Sequence, residues 1–392
     1  MEYISAVKAA EKWGVSLRQA ERLLAAGRIP GAIKQGGVWL LPYDVSKPDD
    51  LRRKKNIPLS PPDSVLFQLI AATSLPLPAH NPEGILDTVQ EARVRRQYEG
   101  VLAYLRGDFT GVKRCFEQTE GDDAAQLLAS MIAIAAAIST GDYHTYTQIE
   151  AYLKSCIRGH PGSSIAAMAE LALCTAATGC LAPDMVSEWL KKGDFSAFPA
   201  QQRPFALYLR AKYFQCTRQY ESMLAVAQTA LALSEPEGGI SQNGLYLRLC
   251  CAVACHELGQ EIEARHYLLE AMDLGLPHGF ITPIAENVTT LGGLAEQCLA
   301  QEFPACYQAV LAQSERTSAN WCAFHNQFTK ENITLILTIR EYHIARLVAQ
   351  RVPYARIAKQ YYLSEGRVKN IVQDIYGKLY ISNRKELAKY IL

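Results

Sequence analysis

The sequence predicts a mainly α-helical protein of three parts, with a small β-hairpin near its start. Long stretches of the middle are rich in Ala and Leu at helical spacing. Turn residues recur there at intervals of 34 to 41 residues, a period typical of stacked helix pairs. Both ends are basic and the middle is acidic. We therefore expect one small domain at each end and a helical repeat between them.

The C-terminal part, residues 333–392, contains one strongly amphipathic helix. Ser364 is a suitable N-cap, and apolar residues recur after it at helical spacing, namely Val368, Ile371, Val372, Ile375 and Leu379. The other face carries hydrogen-bond donors able to reach phosphates or base edges: Arg367, Lys369, Asn370, Gln373 and Lys378. Because a short helix and a tight turn precede it, we predict a helix-turn-helix reader of DNA.

An ordered series of short motifs runs along this whole part of the chain. It comprises Leu337-Thr338, Arg340-Glu341, Ile357-Ala358, Ser364-Glu365, Val368-Lys369-Asn370, Ile375-Tyr376, Lys378-Leu379 and Ser382-Asn383-Arg384. On these residues the stretch resembles the LuxR-type helix-turn-helix domain, which implies four helices and binding to double-stranded DNA. The resemblance implies that the five donors above and Arg384 contact the duplex.

The same part departs from the family pattern at several positions. Arg351 stands where a Gly usually turns the chain, and Arg356 and Arg367 add positive charge. The added charge suits DNA binding but leaves the target sequence open. The final helix carries a small apolar strip, formed by Leu387, Ala388 and Ile391. LuxR-type domains often pair through this helix, so the resemblance implies a homodimer.

The first 45 residues predict two short helices followed by a hairpin. Ser5 is a suitable cap for a first helix that Gly14 ends, and Ser16 is a suitable cap for a second. Residues 29–33 and 38–41 are then predicted to be two strands around a Gly-Gly turn. Two helices with a short break and a hairpin make a winged helix-turn-helix.

Further motifs identify the kind of winged helix. They are Tyr3-Ile4-Ser5, Ala9-Ala10, Trp13-Gly14-Val15-Ser16, Gly27-Arg28-Ile29-Pro30-Gly31-Ala32 and Trp39-Leu40-Leu41-Pro42. They resemble the MerR/excisionase-like family, which implies that the second helix enters a major groove. The implied DNA-binding residues are Ser16, Arg18, Gln19, Arg22, Arg28 and Lys34. The open alternative is a unit that only helps assembly.

Residues 46–84 are predicted to be a basic, proline-rich linker, and residues 85–328 a helical repeat. The repeat signal is a turn between two amphipathic helices, which recurs at Gly107, Gly141, Gly179, Arg218 and Gly259. Period and turn residues resemble tetratricopeptide repeats. Similar regions in regulators with LuxR-type ends sense a signal or mediate oligomerisation, which implies a protein or small-molecule ligand here.

Charge divides along the chain in the same way as the motifs. Residues 1–56 hold 11 Lys and Arg against 6 Asp and Glu, a net charge of +5. Residues 333–392 hold 11 against 4, a net charge of +7. The remaining residues hold 18 against 29, a net charge of −11. We therefore expect both ends to contact DNA and the middle to be repelled by it.

No motif predicts an enzyme, a metal site or a cofactor. The sequence lacks Gly-x-x-x-x-Gly-Lys-Ser/Thr, Gly-x-Ser-x-Gly and His-Glu-x-x-His runs. The cluster of Cys250, Cys251, Cys255 and His256 has no second Cys/His pair at zinc spacing, so we expect core packing. Unpaired cysteine usage and the shortness of the apolar runs predict a soluble, cytoplasmic protein without membrane contact.

These observations together predict a transcription regulator with three parts. Its ends bind DNA, and its middle senses a signal or mediates oligomerisation. Two other classes stay open at this point. One is a protein–protein adaptor that its ends tether to DNA, and the other is an excisionase-like recombination accessory, suggested by the N-terminal unit alone.

Overall fold

The computed structural model of the chain describes residues 3–25, 29, 32–35, 38–42, 77–198, 203–234, 239–329, 337–379 and 381–391. These residues are mainly helical and contain two small antiparallel sheets. The chain divides into two compact units, Met1–Ser60 and Pro61–Leu392. The predicted mainly α class with a small hairpin is therefore confirmed. Residues 46–76 of the predicted linker lie outside the described part.

The first unit is a three-stranded antiparallel sheet with two helices. Its elements are β1 (Tyr3–Ser5), α1 (Ala6–Trp13), α2 (Leu17–Ala25), β2 (Ile33–Gln35) and β3 (Val38–Pro42). The strand order is β1-β3-β2. Gln35 pairs with Val38, so a two-residue connection joins β2 to β3, as predicted. Residues 36 and 37 themselves lie outside the described part.

Local sequence explains this unit, with one correction. The Ser5 hydroxyl accepts a hydrogen bond from the backbone N–H of Lys8, and Gly14 ends α1 with a φ of 63°. The strand predicted over residues 29–33 is wrong at Ile29 and Ala32, which lie outside any strand, and β2 begins at Ile33. Ile29 is instead buried in the small core beside Leu24. The first strand, β1, was not predicted.

The second unit opens with β4 (Leu77–Pro78), which pairs with β5 (Gly239–Ile240). Its helices before residue 280 are α3 (Ile85–Thr88), α4 (Ala92–Leu105), α5 (Phe109–Glu117), α6 (Asp123–Thr140), α7 (Tyr143–Gly159), α8 (Ser164–Gly179), α9 (Glu188–Lys192), α10 (Arg203–Cys216), α11 (Tyr220–Ser234), α12 (Gln242–Glu257) and α13 (Glu261–Gly275). After these come α14 (Thr282–Ala285), α15 (Val288–Leu291), α16 (Gly293–Glu302) and α17 (Pro304–Thr329).

Helices α4 to α13 pack as stacked pairs. Most helices contact the next one along the chain, and the first helices of successive pairs also contact each other: α4 with α6, α6 with α8, α8 with α10, and α10 with α12. A left-handed residue turns each pair, namely Gly107, Gly141, Leu181, Arg218 and Gly259. The predicted third turn was therefore placed two residues early, because Gly179 is the last residue of α8.

The long helix α17 runs back along the ends of three of these helices. Its Asn320 amide donates to the Ser139 carbonyl at 2.9 Å, near the end of α6. The Trp321 indole donates to the Gly179 carbonyl at the end of α8. Near the end of α4, Thr282 donates to the Tyr104 carbonyl and accepts from Gln313 of α17. Polar side chains thus satisfy carbonyls that helix ends leave without intrahelical partners.

Among the described residues, one helix is long and apolar enough to cross a membrane by composition alone, and it is α6. Ten of its residues are buried among the neighbouring helices. Ile134 and Leu128 belong to the largest hydrophobic core, together with residues of α4 and α8. This environment is that of a core helix.

The C-terminal end of the chain forms four helices with a core of their own. They are α18 (Ile339–Ala349), α19 (Tyr354–Gln360), α20 (Glu365–Leu379) and α21 (Arg384–Ile391). Ile344, Ile357, Val372 and Leu387 are fully or almost fully buried in that core. Arg351 turns the chain after α18 with a φ of 65°, at the position where the LuxR-type pattern has Gly.

The contact between Gly107 and α17 predicts that a methyl group added at Gly107 lowers stability more than one added at a turn without that contact. A Cβ at Gly107 would collide with the buried Gln313 amide, whereas a Cβ at Gly121 would meet nothing within 4 Å. Both glycines have a positive φ, so either change to Ala carries the left-handed cost of about 1–2 kcal/mol. We expect Gly107→Ala to cost about 1–3 kcal/mol more than Gly121→Ala in the free energy of unfolding, measured in urea. Equal costs would contradict the contact.

Candidate nucleic-acid interface

Helix α20 has one buried face and one open face. The Ser364 hydroxyl accepts from the backbone N–H of Arg367 at 3.2 Å, so the predicted cap is present. Val368, Val372 and Ile375 are buried in the C-terminal core. Because these residues share one face of the helix, the opposite face is not part of that core.

Four of the predicted donors lie together on that open face. Arg367, Lys369, Asn370 and Gln373 are exposed along successive turns of α20. Their side chains present two cations and two amides, which suits contacts to phosphates and base edges. Lys378 lies one turn further on and is engaged elsewhere, because its Nζ contacts the Glu341 carboxylate at 2.7 Å.

Two residues from the family motifs hold the domain together. The Glu341 carboxylate that binds Lys378 also accepts from the backbone N–H of Thr338, in a capping box at the start of α18. The Arg384 guanidinium donates to the carbonyls of Val348 and Val352, at the end of α18 and just beyond it. Arg384 therefore fixes α21 against α18. Its Nε and Nη2 already donate to these carbonyls, so they are not available for the predicted DNA contact.

The predicted apolar strip of the last helix is only partly described. Leu387 is fully buried in the C-terminal core, and Ala388 packs against that core. These two residues therefore do not form the exposed strip we expected for a homodimer. The side chain of Ile391 lies outside the described part.

The N-terminal candidates are described in part. Ser16 and Arg18 are exposed at the start of α2. Lys34 is exposed on β2, with its Nζ 5.6 Å from the centre of the Trp39 ring. The side chains of three further predicted residues, Gln19, Arg22 and Arg28, lie outside the described part.

The four C-terminal helices pack against the helical repeat, which the sequence did not predict. Tyr361, at the end of α19, is almost fully buried on the backbone of Gly292 and Gly293. A Cβ at Gly292 would lie 2.8 Å from the Tyr361 ring, and one at Gly293 would lie 2.5 Å from the Tyr361 carbonyl oxygen. The Gly-Gly pair was the sequence signal for this contact, since only glycine allows so close an approach.

Polar contacts surround the Tyr361 contact. The Lys359 Nζ of α19 lies 3.3 Å from a Glu261 carboxylate oxygen of α13. Arg340 pairs with Glu296 at 3.7 Å, and Arg346 donates to the Tyr220 hydroxyl at 3.4 Å. Both α18 and α19 therefore contact the repeat, while the donors of α20 make none of these contacts.

Two histidines are buried at this contact, where their surroundings favour the neutral ring. Burial lowers the pKa of His256 to about 4, against a smaller opposing effect of Glu261. Burial and the nearby cations Arg346 and Arg218 lower the pKa of His343 to about 3. Within the described residues, Nε2 of His256 has no hydrogen-bond partner. Protonation of either ring therefore opposes the packed state.

No protein-family model, curated protein or solved structure matches this chain.

The buried histidines predict a loss of stability in mild acid. The folded-state pKa of His256 lies below its ordinary value of 6.5, so its contribution is present above pH 6.5 and is lost as pH falls toward 4. We expect His256 to account for about 2 kcal/mol of the free energy of unfolding lost between pH 7.5 and pH 5.0. His256→Phe should remove that part of the pH dependence in urea unfolding.

The matched control is His144→Phe, which removes an exposed histidine from α7. It should leave the pH dependence of the parent protein unchanged. If His256→Phe also leaves it unchanged, the buried neutral ring is not a source of acid sensitivity.

Proposed function

We propose that this chain is a DNA-binding transcription regulator whose C-terminal domain reads a duplex through α20. The observation that carries the proposal is the open row of Arg367, Lys369, Asn370 and Gln373 opposite a buried apolar face. A helix of this kind, preceded by the short α19 and a tight turn, suits insertion into a major groove. The resemblance to LuxR-type domains supports the same function.

The N-terminal unit is proposed as a second DNA contact. Its two helices and its hairpin suit a winged helix-turn-helix, and exposed Arg18 and Lys34 suit a phosphate backbone. The net charge of +5 over residues 1–56 favours the same role. The stacked helix pairs between the two ends of the sequence are proposed to be of the tetratricopeptide type, and the net negative charge of the middle opposes its own contact with the duplex.

The packing of the C-terminal domain on the repeat suits control of DNA binding. In a helix-turn-helix protein the first helix crosses the DNA backbone, and here α19 supplies that helix. Its Lys359 pairs with Glu261 of the repeat, so a carboxylate holds a cation that would otherwise face phosphate. We propose that the repeat and the duplex compete for α19. A homodimer remains part of the proposal, through a surface other than Leu387.

Changing Lys369 tests the reading face directly. We expect Lys369→Ala to weaken binding to a duplex selected from a random pool by about 1–3 kcal/mol and to relax preference at one base position. The control is Lys385→Ala, which removes the same charge from an exposed site on α21. Fluorescence anisotropy of the full-length proteins measures both. Equal effects of the two variants would show that only net charge matters and would reject the assignment of α20.

Changing Glu261 tests the competition for α19. The Lys359–Glu261 pair is largely exposed, so its contribution is small, on the order of 0.2–1 kcal/mol. We expect Glu261→Gln to raise DNA affinity by roughly two- to fivefold. Glu263→Gln is the matched control, since it removes the same charge from an exposed position two residues away. An increase of equal size in both variants would contradict a specific contact with Lys359.

A further inference from the structure

A partly open cavity of about 190 Å³ lies where the stacked helices meet α17 and the C-terminal domain. Most of its wall is apolar, with Ile132, Leu209 and Val253 from three of the stacked helices. That volume has room for on the order of ten non-hydrogen atoms, judged from the space that one water needs. The cavity therefore suits a compact small molecule rather than a peptide segment.

One end of the cavity carries a carboxyl group among tyrosine rings. The Tyr104 hydroxyl donates to Oε1 of Glu286 at 2.5 Å, and the Tyr246 hydroxyl donates to Oε2 at 3.2 Å. Tyr208 lines the same end and lies 5.5 Å from Tyr246 between ring centres. The Glu286 side chain is exposed and lines the cavity, while the protein atoms packed around it raise the pKa of its carboxyl group.

A cation lines the same cavity without neutralising that carboxyl group. Lys212 of α10 is half-buried, and its Nζ donates to Oε1 of Gln215 at 2.5 Å. Among the described ion pairs, none joins Lys212 to Glu286, although the Lys212 charge lowers the pKa of that carboxyl group. The cavity thus presents one anionic and one cationic group, each held by its own neighbours.

We propose that this cavity binds a small zwitterion with an apolar side chain, of the size of an apolar α-amino acid. Its ammonium group would bind Glu286 among the faces of Tyr208 and Tyr246, where a cation is favoured. Its carboxylate would bind Lys212 and Gln215, and its side chain would fill the apolar wall. An ammonium beside Glu286 restores the charged form that burial opposes.

The cavity also reaches the C-terminal domain. His343 of α18 forms part of its wall, so the cavity borders the helix that packs the C-terminal domain on the repeat. The inference deepens the proposed function by naming the ligand class of the repeat. Ligand binding is measured without DNA, so its failure is distinguishable from a failure of DNA reading.

The test titrates the full-length protein with L-leucine, L-methionine and L-phenylalanine by isothermal calorimetry. For leucine, the matched analogues are 3-methylbutylamine, which lacks the carboxylate, and 4-methylpentanoate, which lacks the amine. We expect saturable binding of at least one amino acid, and for leucine at least tenfold weaker binding of both analogues. No saturable binding of the three amino acids, or an analogue that binds as tightly as leucine, would overturn the proposal.

Variants assign the two ends of the ligand. Glu286→Gln and Lys212→Met should each weaken binding at least tenfold, and a folded variant of either that binds as the parent does would overturn the proposal. Glu296→Gln is the control, because it removes a carboxylate that pairs with Arg340 outside the cavity. Circular dichroism checks the fold of each variant, and Lys212→Met serves as the test if Glu286→Gln does not fold.

Trp321 supplies an independent readout, because it lines the cavity. Ligand should change the tryptophan fluorescence of the parent protein. Trp321→Phe should lose that change, because it removes the ring that reports on the cavity. A fluorescence change that persists in Trp321→Phe would place the ligand elsewhere and overturn the proposal.

Discussion

The unsatisfied carbonyls at the ends of stacked helices set the main constraint on this fold. Every helix leaves its last carbonyls without intrahelical partners, and a stack of helix pairs brings several such ends to one edge. Here α17 lies across that edge. Its Asn320 and Trp321 donate to carbonyls of α6 and α8. Its Gln313 donates to the hydroxyl of Thr282, which in turn donates to the Tyr104 carbonyl of α4. The bonds to Ser139 and Gly179 replace bonds that water would otherwise make, whereas the Tyr104 carbonyl also accepts from the backbone N–H of Gly107.

This arrangement explains the residues at the turns. Gly107 and Gly141 lie directly against Gln313 and Asn320, so no side chain fits there without displacing a donor. At the third turn, Trp321 and His325 of α17 contact the carbonyls of Gly179 and Cys180. Leu181 and Arg218 adopt the same left-handed conformation as the two glycines.

The same helix lines the cavity beside the C-terminal helices. Thr317 and Trp321 of α17 form one side of the cavity, and His343 of α18 forms another part of its wall. The C-terminal helices then rest on the next turns of the repeat, through Lys359 on Glu261 and Arg346 on Tyr220. The cavity, the long helix and the C-terminal helices therefore share contacts, which gives the proposed ligand a physical route to the proposed DNA-binding domain.

Features that depend on nearby residues could be predicted from the sequence. Ser5 and Ser364 cap helices as expected because capping needs only three neighbouring residues. The apolar spacing of α20 identified its buried face, and the open face follows from it. The turns were found through their period, although periodicity alone placed the third one at Gly179 rather than at Leu181.

Features that depend on distant residues could not be predicted. The guanidinium of Arg384 serves two carbonyls more than thirty residues away, which no local pattern reveals. Glu286, Lys212 and Tyr104 meet in one cavity only because α4, α10 and the segment after α14 are stacked together. Lys378 looked like a free donor because its partner, Glu341, lies on another helix.

Hydrogen–deuterium exchange of the full-length protein, with and without a duplex selected from a random pool, tests the central claim most directly. If α20 reads the duplex, amides over residues 365–379 should exchange more slowly in the complex, with Lys369 and Asn370 inside the protected segment. Competition for α19 should at the same time speed exchange at the start of α13. A complex in which exchange in α20 is unchanged, or a failure to select any duplex, would contradict the account.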